Sequence, residues 1–309
     1  MNQTFVATSE QTQNQPLLSC FSYSINRYTN LVSPTQISLK DISVIIPVKN
    51  NQKGIENFLE KFFQTHTEAS FPREIIIVDN NSTPKIFIPH KFLNSPLPII
   101  LISCTTVGSA AARNAGSAQA SGSWLLFTDS DCVPTEMLIQ GYCKSLNGAV
   151  GYAGKVQALG KDALSFYYET QETLVAKAVI EEGIYRPVCL ITANALVWKP
   201  AFEKVGGFAE VIDIAAGEDV DLSFKLLEVG DLSYALDSLV LHDYGDGISA
   251  FVRRFFRYGR GINLINKLHN LNWLPTPFVP NKPTWRNWIY AYLQYSCSIA
   301  GYWFQQLQP

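Results

Sequence analysis

WLLFTDSD occupies residues 124–131, and its first four residues are wholly apolar. The run ends abruptly in two aspartates, Asp129 and Asp131, one serine apart. A short apolar run bounded by polar turn residues reads as a strand buried on both faces. Two carboxylates side by side at its end repel one another. Either water solvates them in a turn or a cation sits between them. A hard divalent ion, Mn2+ or Mg2+, favours one or two carboxylates together with waters and phosphate oxygens.

Outward from this segment the pattern recurs. ISVII (42–46) is a β-branched run that Pro47 ends. EIIIV (74–78) leads into Asp79, Asn80, Asn81 and Ser82, and LPIILIS (97–103) is a third run. Between them, GIENFLEKFFQ (54–64) places Ile55, Phe58, Leu59 and Phe62 at helical spacing. GSAAARNAGSAQASG (108–122) reads as a helix of small residues. Helices alternating with strands that are apolar on both faces predict an α/β fold, its sheet mostly parallel and covered by helices on both faces. Ligands bind such sheets beyond the carboxyl ends of the strands. The polar clusters at 47–49, 79–82 and 129–131 therefore converge on one edge.

Beyond residue 150 the pattern loosens. A helix is expected within 161–179, and strand and loop in VCLITANALVWKP (188–200). AGEDVDLSFKLLEVG (216–230) is a helix that Gly230 stops. LSYALDSLVLHDYG (232–245) gives short strands, and FVRRFFRYGRG (251–261) is basic and aromatic. Residues 285–304, WRNWIYAYLQYSCSIAGYWF, are borderline for a membrane span. Their Trp and Tyr suit an interface better than a bilayer centre. Packing on the domain is expected there, with peripheral membrane contact through 285–304 as the alternative. The chain divides into a polar extension (1–40), a catalytic-type domain (41–245) and C-terminal helices (246–309).

Composition narrows the class. The 309 residues are 47% hydrophobic and 16% charged, with a formal net charge of −2. That is globular, and it lacks the basic footprint of a nucleic-acid binder, so no nucleic-acid partner is expected. Cys20, Cys104, Cys132, Cys143, Cys189 and Cys297 form no CxxC pair. They read as reduced thiols of a cytoplasmic protein, not a disulfide framework or a zinc site. No secretory signal stands at the N-terminus.

Five segments, in order, resemble the family 2 glycosyltransferases over roughly residues 42–260: VIIPVKN (44–50), IIIVDNNS (75–82), GSAAARNAG (108–116), FTDSD (127–131) and GEDVDLSFKL (217–226). The resemblance implies a GT-A, Rossmann-like fold with a C-terminal helical segment. It implies a nucleotide-sugar donor, UDP-sugar favoured, with Mn2+ or Mg2+. The acceptor would be a hydroxyl of a glycan, lipid-linked or small-molecule acceptor, and the transfer would invert. Pro47 and Lys49 would wall the donor site, and Asp79 with Asn81 would meet the base. Arg113 would reach the nucleotide. Asp129, with Ser130 beside it, would face ribose and metal, and Asp131 would bind the metal. Asp219 would be the catalytic base, with Glu218 holding the acceptor or supporting the loop and Asp221 a weaker rival. His242 would contact metal or phosphate, and Arg257 the diphosphate. Asn194 and Trp198 would face the acceptor in a loop shaped by Gly206, Gly207 and Phe208. A Q-x-x-R-W motif is absent, so processivity is not expected.

The residues alone leave alternatives open. Asp79 suits an ordinary strand-end turn. Acids in a first helical turn complement the helix dipole, whose field would also keep a base ionised. His242 could be a satisfied strand-end histidine, and the arginines of 253–260 could be solvated. A nucleotidyltransferase would want a glycine-rich basic loop, of which PVKNNQKG is a poor version. A non-catalytic sugar-nucleotide or glycan-binding module would need no base. A dehydrogenase would need G-x-G-x-x-G after the first strand.

Overall fold

The computed structural model describes residues 2–4, 24–26, 29–181, 184–244 and 247–308. Most of the expected polar extension lies outside them. Two short strands there, β1 (Asn2–Thr4) and β2 (Ser24–Asn26), pair antiparallel. Residues 29–40 lie along the domain: the Leu31 N–H donates to the Val229 carbonyl at 2.6 Å, and the Ser33 hydroxyl to the Ala149 carbonyl at 2.6 Å.

The main sheet has eight strands among the described residues. In chain order they are β3 (Ile42–Val48), β4 (Glu74–Asp79), β5 (Ile99–Ser103), β6 (Trp124–Thr128), β7 (Cys132–Pro134), β8 (Gly151–Ala158), β11 (Asn194–Trp198) and β12 (Leu232–His242). A separate ribbon pairs β9 (Ala178–Glu181) with β10 (Ile184–Pro187). Across the main sheet the order is β5-β4-β3-β6-β11-β8-β12-β7. The half β5-β4-β3-β6 is parallel throughout. In the other half β11 runs antiparallel to both neighbours, β8 and β12 are parallel, and β7 closes the edge antiparallel. The sheet is mostly parallel, as expected.

Every residue of β4 and β6 is buried. Isoleucine and leucine without alternation can be satisfied only by helices on both faces. On one face lie α1 (Gln52–Thr65) and α3 (Met137–Cys143), which pack Phe58, Phe62 and Tyr142 around Trp124. The other face carries α2 (Ser109–Gln119), α5 (Lys199–Lys204) and α6 (Glu218–Leu227), around Ile45, Phe127 and Phe202. The Asn51 side chain caps α1 by accepting from the Gly54 N–H at 3.0 Å. Helix α2 can lie flat on the sheet because it is made of Ala, Gly and Ser. A Cβ on Gly116 would fall 2.6 Å from the Ile45 side chain.

Three expectations change in detail. Pro47 does not end its strand but sits inside β3, opposite Val78. Pairing with β6 stops at Ile45, so the end of β3 has a neighbour on one side only, where a missing N–H is tolerated. Residues 232–242 form one eleven-residue strand, with an irregularity between Ala235 and Leu239, rather than short strands. Helix in 161–179 is confined to α4 (Ala163–Thr170). The basic segment lies inside α7 (Gly247–His269), and 285–304 inside α8 (Trp285–Gln306). An aromatic cluster of Tyr167, Tyr168, Tyr244, Phe251 and Phe255 ties α4 and α7 to the end of β12.

Candidate active site

A cavity of about 610 Å3 opens where β3, β4 and β6 end. Its walls include Pro47, Lys49, Asn80 and Asp129–Asp131 from the strand ends, and Glu218 and Asp219 from the start of α6. Residues 171–175 and α7 complete it. Two of the three predicted polar clusters thus converge through the residues that were singled out, and the third only through Asn80.

Arg113 is the centre of the polar network. It projects from α2 and is 3% exposed. One terminal nitrogen donates to Glu218 Oε1 at 2.8 Å, the other to Asp129 Oδ1 at 2.7 Å. The Ser109 hydroxyl donates to the same Glu218 oxygen at 2.7 Å. The guanidinium also lies over the Phe208 ring, 5.7 Å from its centroid. Burial opposes its charge, but Asp129 and Glu218 more than offset it and raise its pKa. Arg113 lines the cavity, and both its terminal nitrogens are engaged by acids of the protein. It links the acids after β6 to those opening α6.

Asp131 stands beside the end of β12. Its Oδ1 lies 3.4 Å from His242 Nε2. Its side chain is 39% open and lines the cavity. Lost hydration raises the carboxyl pKa, and Asp129 adds to this, while His242 and Arg254 oppose it. His242 is 5% exposed, stacks on Tyr244 at 4.4 Å, and has a buried Nδ1 without a hydrogen-bond partner. Ligand atoms of Asp131, Cys132 and His242 lie within 4.8 Å of one another. The donors suit a divalent cation that accepts oxygen and imidazole, such as Mn2+. Cys132 is the poor member, because burial and the two aspartates hold its thiol protonated.

Asp219 completes the acids. Its Oδ1 accepts from the Val220 N–H at 2.9 Å, and the group lines the cavity. Burial, then Glu218, pushes its pKa up to about 7, and Arg113 opposes the rise. The expectation that the helix field keeps this group fully ionised is corrected: burial outweighs the dipole. Glu218, 4% exposed, accepts from Arg113 and Ser109 through Oε1 and lines the cavity. Asp221 pairs with Lys225 at 2.8 Å and His269 at 3.0 Å and lies outside the cavity wall.

Other expected contacts are spent elsewhere. Asp79 is 2% exposed and absent from the cavity wall. It accepts from the Ser82 N–H at 2.9 Å and the Ile86 N–H at 3.4 Å. Burial works against its charge, but the Ser82 and Ile86 hydrogen bonds and Lys85 hold its carboxyl below the ordinary range. Asn81 donates to the Thr105 carbonyl and is also outside the wall. Its neighbour Asn80 lines the cavity while bonding the carbonyls of Cys104 and Thr106 and the Gly108 N–H. Ser130 is in place, held by Asn51 at 3.1 Å. Asn194 is fully buried against Tyr142, Lys155 and Ser238, away from the wall.

Helix α7 brings in the expected Arg257, and with it Arg254 and Tyr258, which the sequence reading leaves without a role. Arg257 lines the cavity and donates to the Ala215 carbonyl at 3.0 Å. Arg254 also lines it, 9% exposed, its guanidinium over the rings of Tyr168 and Tyr244. Tyr258 joins them. Spacing could have revealed this, since 254, 257, 258 and 261 share one helical face. Arg253 and Arg260 turn away, to Ser249 and to Gln305.

An α/β sheet covered on both faces, with paired acids at its strand ends and an acid at the start of a later helix, has the architecture of the GT-A fold. Comparison with known proteins agrees. Residues 43–166 match the model of glycosyl transferase family 2. The pre-mycofactocin glycosyltransferase of Mycobacterium tuberculosis is 28% identical over 236 residues, 73% of this chain and 47% of that protein. The glycosyltransferase AglE of Haloferax volcanii is 27% identical over 266 residues, 80% of this chain and 84% of that protein. Among solved structures, the mannosyltransferase PcManGT of Pyrobaculum calidifontis, in complex with GDP-Man and Mn2+, superposes with a TM-score of 0.55. It is 16% identical, with 89% of this chain and 76% of that one covered. Residues 43–166 thus resemble the family 2 glycosyltransferases, and the likeness to PcManGT shows a shared GT-A fold. The chain spans about half the length of the mycobacterial relative.

Proposed function

We propose that this protein transfers a sugar from a nucleoside diphosphate donor, UDP-linked by preference, to an acceptor hydroxyl, with Mn2+ or Mg2+ and with inversion. The acceptor is a glycan, lipid-linked or small-molecule hydroxyl. The carrying observation is that Asp129, Asp131 and Asp219 face one cavity, with Arg113 bridging Asp129 to Glu218, the residue before Asp219. Asp131, with Asp129 and His242, would hold the cation, which when bound neutralises charge on the departing diphosphate. Arg254 and Arg257 offer guanidinium groups to the same phosphates. Asp219 takes the acceptor proton. With a pKa of about 7 it is a stronger base than an ordinary carboxylate and is still substantially ionised at neutral pH. The GDP-mannose and Mn2+ named for PcManGT support a cation-assisted diphosphate donor and make GDP the rival base. Free thiols at all five described cysteines support a reducing, cytoplasmic-side location.

The test is calorimetric titration of the protein and of Asp131→Ala with UDP, GDP and a nucleoside triphosphate, with and without Mn2+. Cation-dependent diphosphate binding that the variant loses is expected. Binding indifferent to both the cation and Asp131 would sink the assignment. Product analysis separates the nucleotidyltransferase alternative, which releases pyrophosphate rather than a nucleoside diphosphate.

A further inference from the structure

Helix α8 turns large apolar side chains away from the protein. The face it packs inward buries Asn287, Ala291, Gln294, Ser298, Gly301 and Tyr302, with Tyr290, Leu293 and Cys297 partly buried against the aromatic cluster. Its outward face carries Trp285 (69% exposed), Trp288, Ile289, Tyr292 (74%), Trp303 and Phe304. A helix at the surface of a protein in water shows polar side chains on its outer face. Small residues stand where α8 crosses α7, because the two backbones come so close. A Cβ on Gly259 would fall 1.9 Å from the Ser298 carbonyl, and one on Gly301 would fall 1.9 Å from the Phe256 carbonyl.

Charge says what covers the outward face. Residues 247–309 hold seven of the chain's 24 Lys and Arg and none of its 26 Asp and Glu. Cations flank the aromatic face at both ends. At its start Lys282 lies over the exposed Phe166 ring at 5.0 Å, and Arg286 over Trp285 at 5.2 Å. At its end Arg260 lies over Phe304 at 5.6 Å. Trp and Tyr with flanking basic side chains are the composition of a headgroup interface. No helix among the described residues is long and apolar enough to cross a membrane. A second copy seated on this face would bring two segments together that have cations and no acid to neutralise them.

We infer that the outward face of α8 seats this protein on an anionic lipid surface, with the helix lying in the headgroup plane and Lys282, Arg286 and Arg260 meeting lipid phosphates. The inference goes beyond the sugar-transfer reading and stands without it.

Flotation of the full chain with phosphatidylcholine vesicles, with and without phosphatidylglycerol, tests it. Wild-type protein is expected to float with the anionic vesicles, to blue-shift its tryptophan emission there, and to release as salt rises. The triple variant Trp288→Ser, Ile289→Ser, Tyr292→Ser changes exposed residues only. It should melt as wild type does and bind at least about tenfold more weakly. Lys282→Glu with Arg286→Glu should lower binding to anionic vesicles specifically. Folded protein that does not float overturns the inference, as does triple-variant binding equal to wild type. So does a dimer in sedimentation velocity that the triple variant abolishes while no vesicle binding occurs, since the face would then belong to a second copy.

Discussion

Replacing Asp219 by asparagine should stabilise the protein at alkaline pH while abolishing turnover. The carboxyl pKa is raised from 3.8 to about 7, so folding favours its protonated form. In the unfolded chain the group ionises near its ordinary value. Folding therefore pays no penalty for it below about pH 4, a growing one between about pH 4 and 7, and the full one above. At about 1.4 kcal/mol per pKa unit the full penalty is about 4 kcal/mol. Water in the cavity screens the group, which brings the expected figure to on the order of 2 kcal/mol. Asparagine cannot ionise, and its carbonyl can still accept from the Val220 N–H. Urea unfolding of the two proteins should coincide only below about pH 4. By about pH 8 the variant's midpoint should lie higher by roughly 1 M, for an m-value of about 2 kcal/mol/M. Over the same range wild-type kcat/KM should rise about tenfold per pH unit and level off above about 7. Equal midpoints at both pH values would refute the destabilised carboxylate, and a flat rate profile would refute its role as base.

Three further outcomes follow from the same network. Arg113→Met strands the buried Glu218 and should cost about 3–5 kcal/mol in chemical unfolding; adding Glu218→Gln should recover part of the loss. A single-mutant loss under about 0.5 kcal/mol would mean that the ion pairs carry no net stability. Arg113→Lys should rescue poorly, because one ammonium cannot fork to both acids. His242→Ala should weaken Mn2+ binding by at least about tenfold in a titration without nucleotide, and unchanged affinity would remove this histidine from the cation site.

The parallel half of the fold was readable because each element carries its own period. EIIIV is apolar on both faces, and Ile55, Phe58, Leu59 and Phe62 mark one side of a helix. Pairing in the mixed half is non-local. Nothing in 194–198 says that it lies between 124–128 and 151–158. The site divides the same way. Arg113, a lone charge among alanines, had to meet something polar, but Glu218, its partner 105 residues on, lay beyond any local pattern. Asp79 shows the opposite limit. Its carboxylate is consumed by its own turn through Ser82 N–H, which the run Asp-Asn-Asn-Ser already permitted.

The cavity draws its acids from the sheet and α6 and its guanidinium groups Arg254 and Arg257 from α7, so the seating of α7 should decide donor affinity. That seating depends on close approach. A Cβ on Gly261 would lie 2.7 Å from the Ala216 carbonyl, one residue beyond the carbonyl that Arg257 bonds. Gly217, which opens α6, has a φ of 92° and rests against Ile265 and the Gly261 carbonyl. Gly261→Val should push α7 off this loop at a cost of about 1–3 kcal/mol, leaving the sheet and its acids where they are. Mn2+ affinity without nucleotide should then hold, since Asp131 and His242 belong to the strand ends. UDP affinity in the presence of Mn2+ should fall by at least about tenfold as the guanidinium groups withdraw. Parallel losses of both affinities would instead show that α7 supports the cation site. A variant as tight as wild type for UDP would show that the arginines of α7 do not meet the diphosphate.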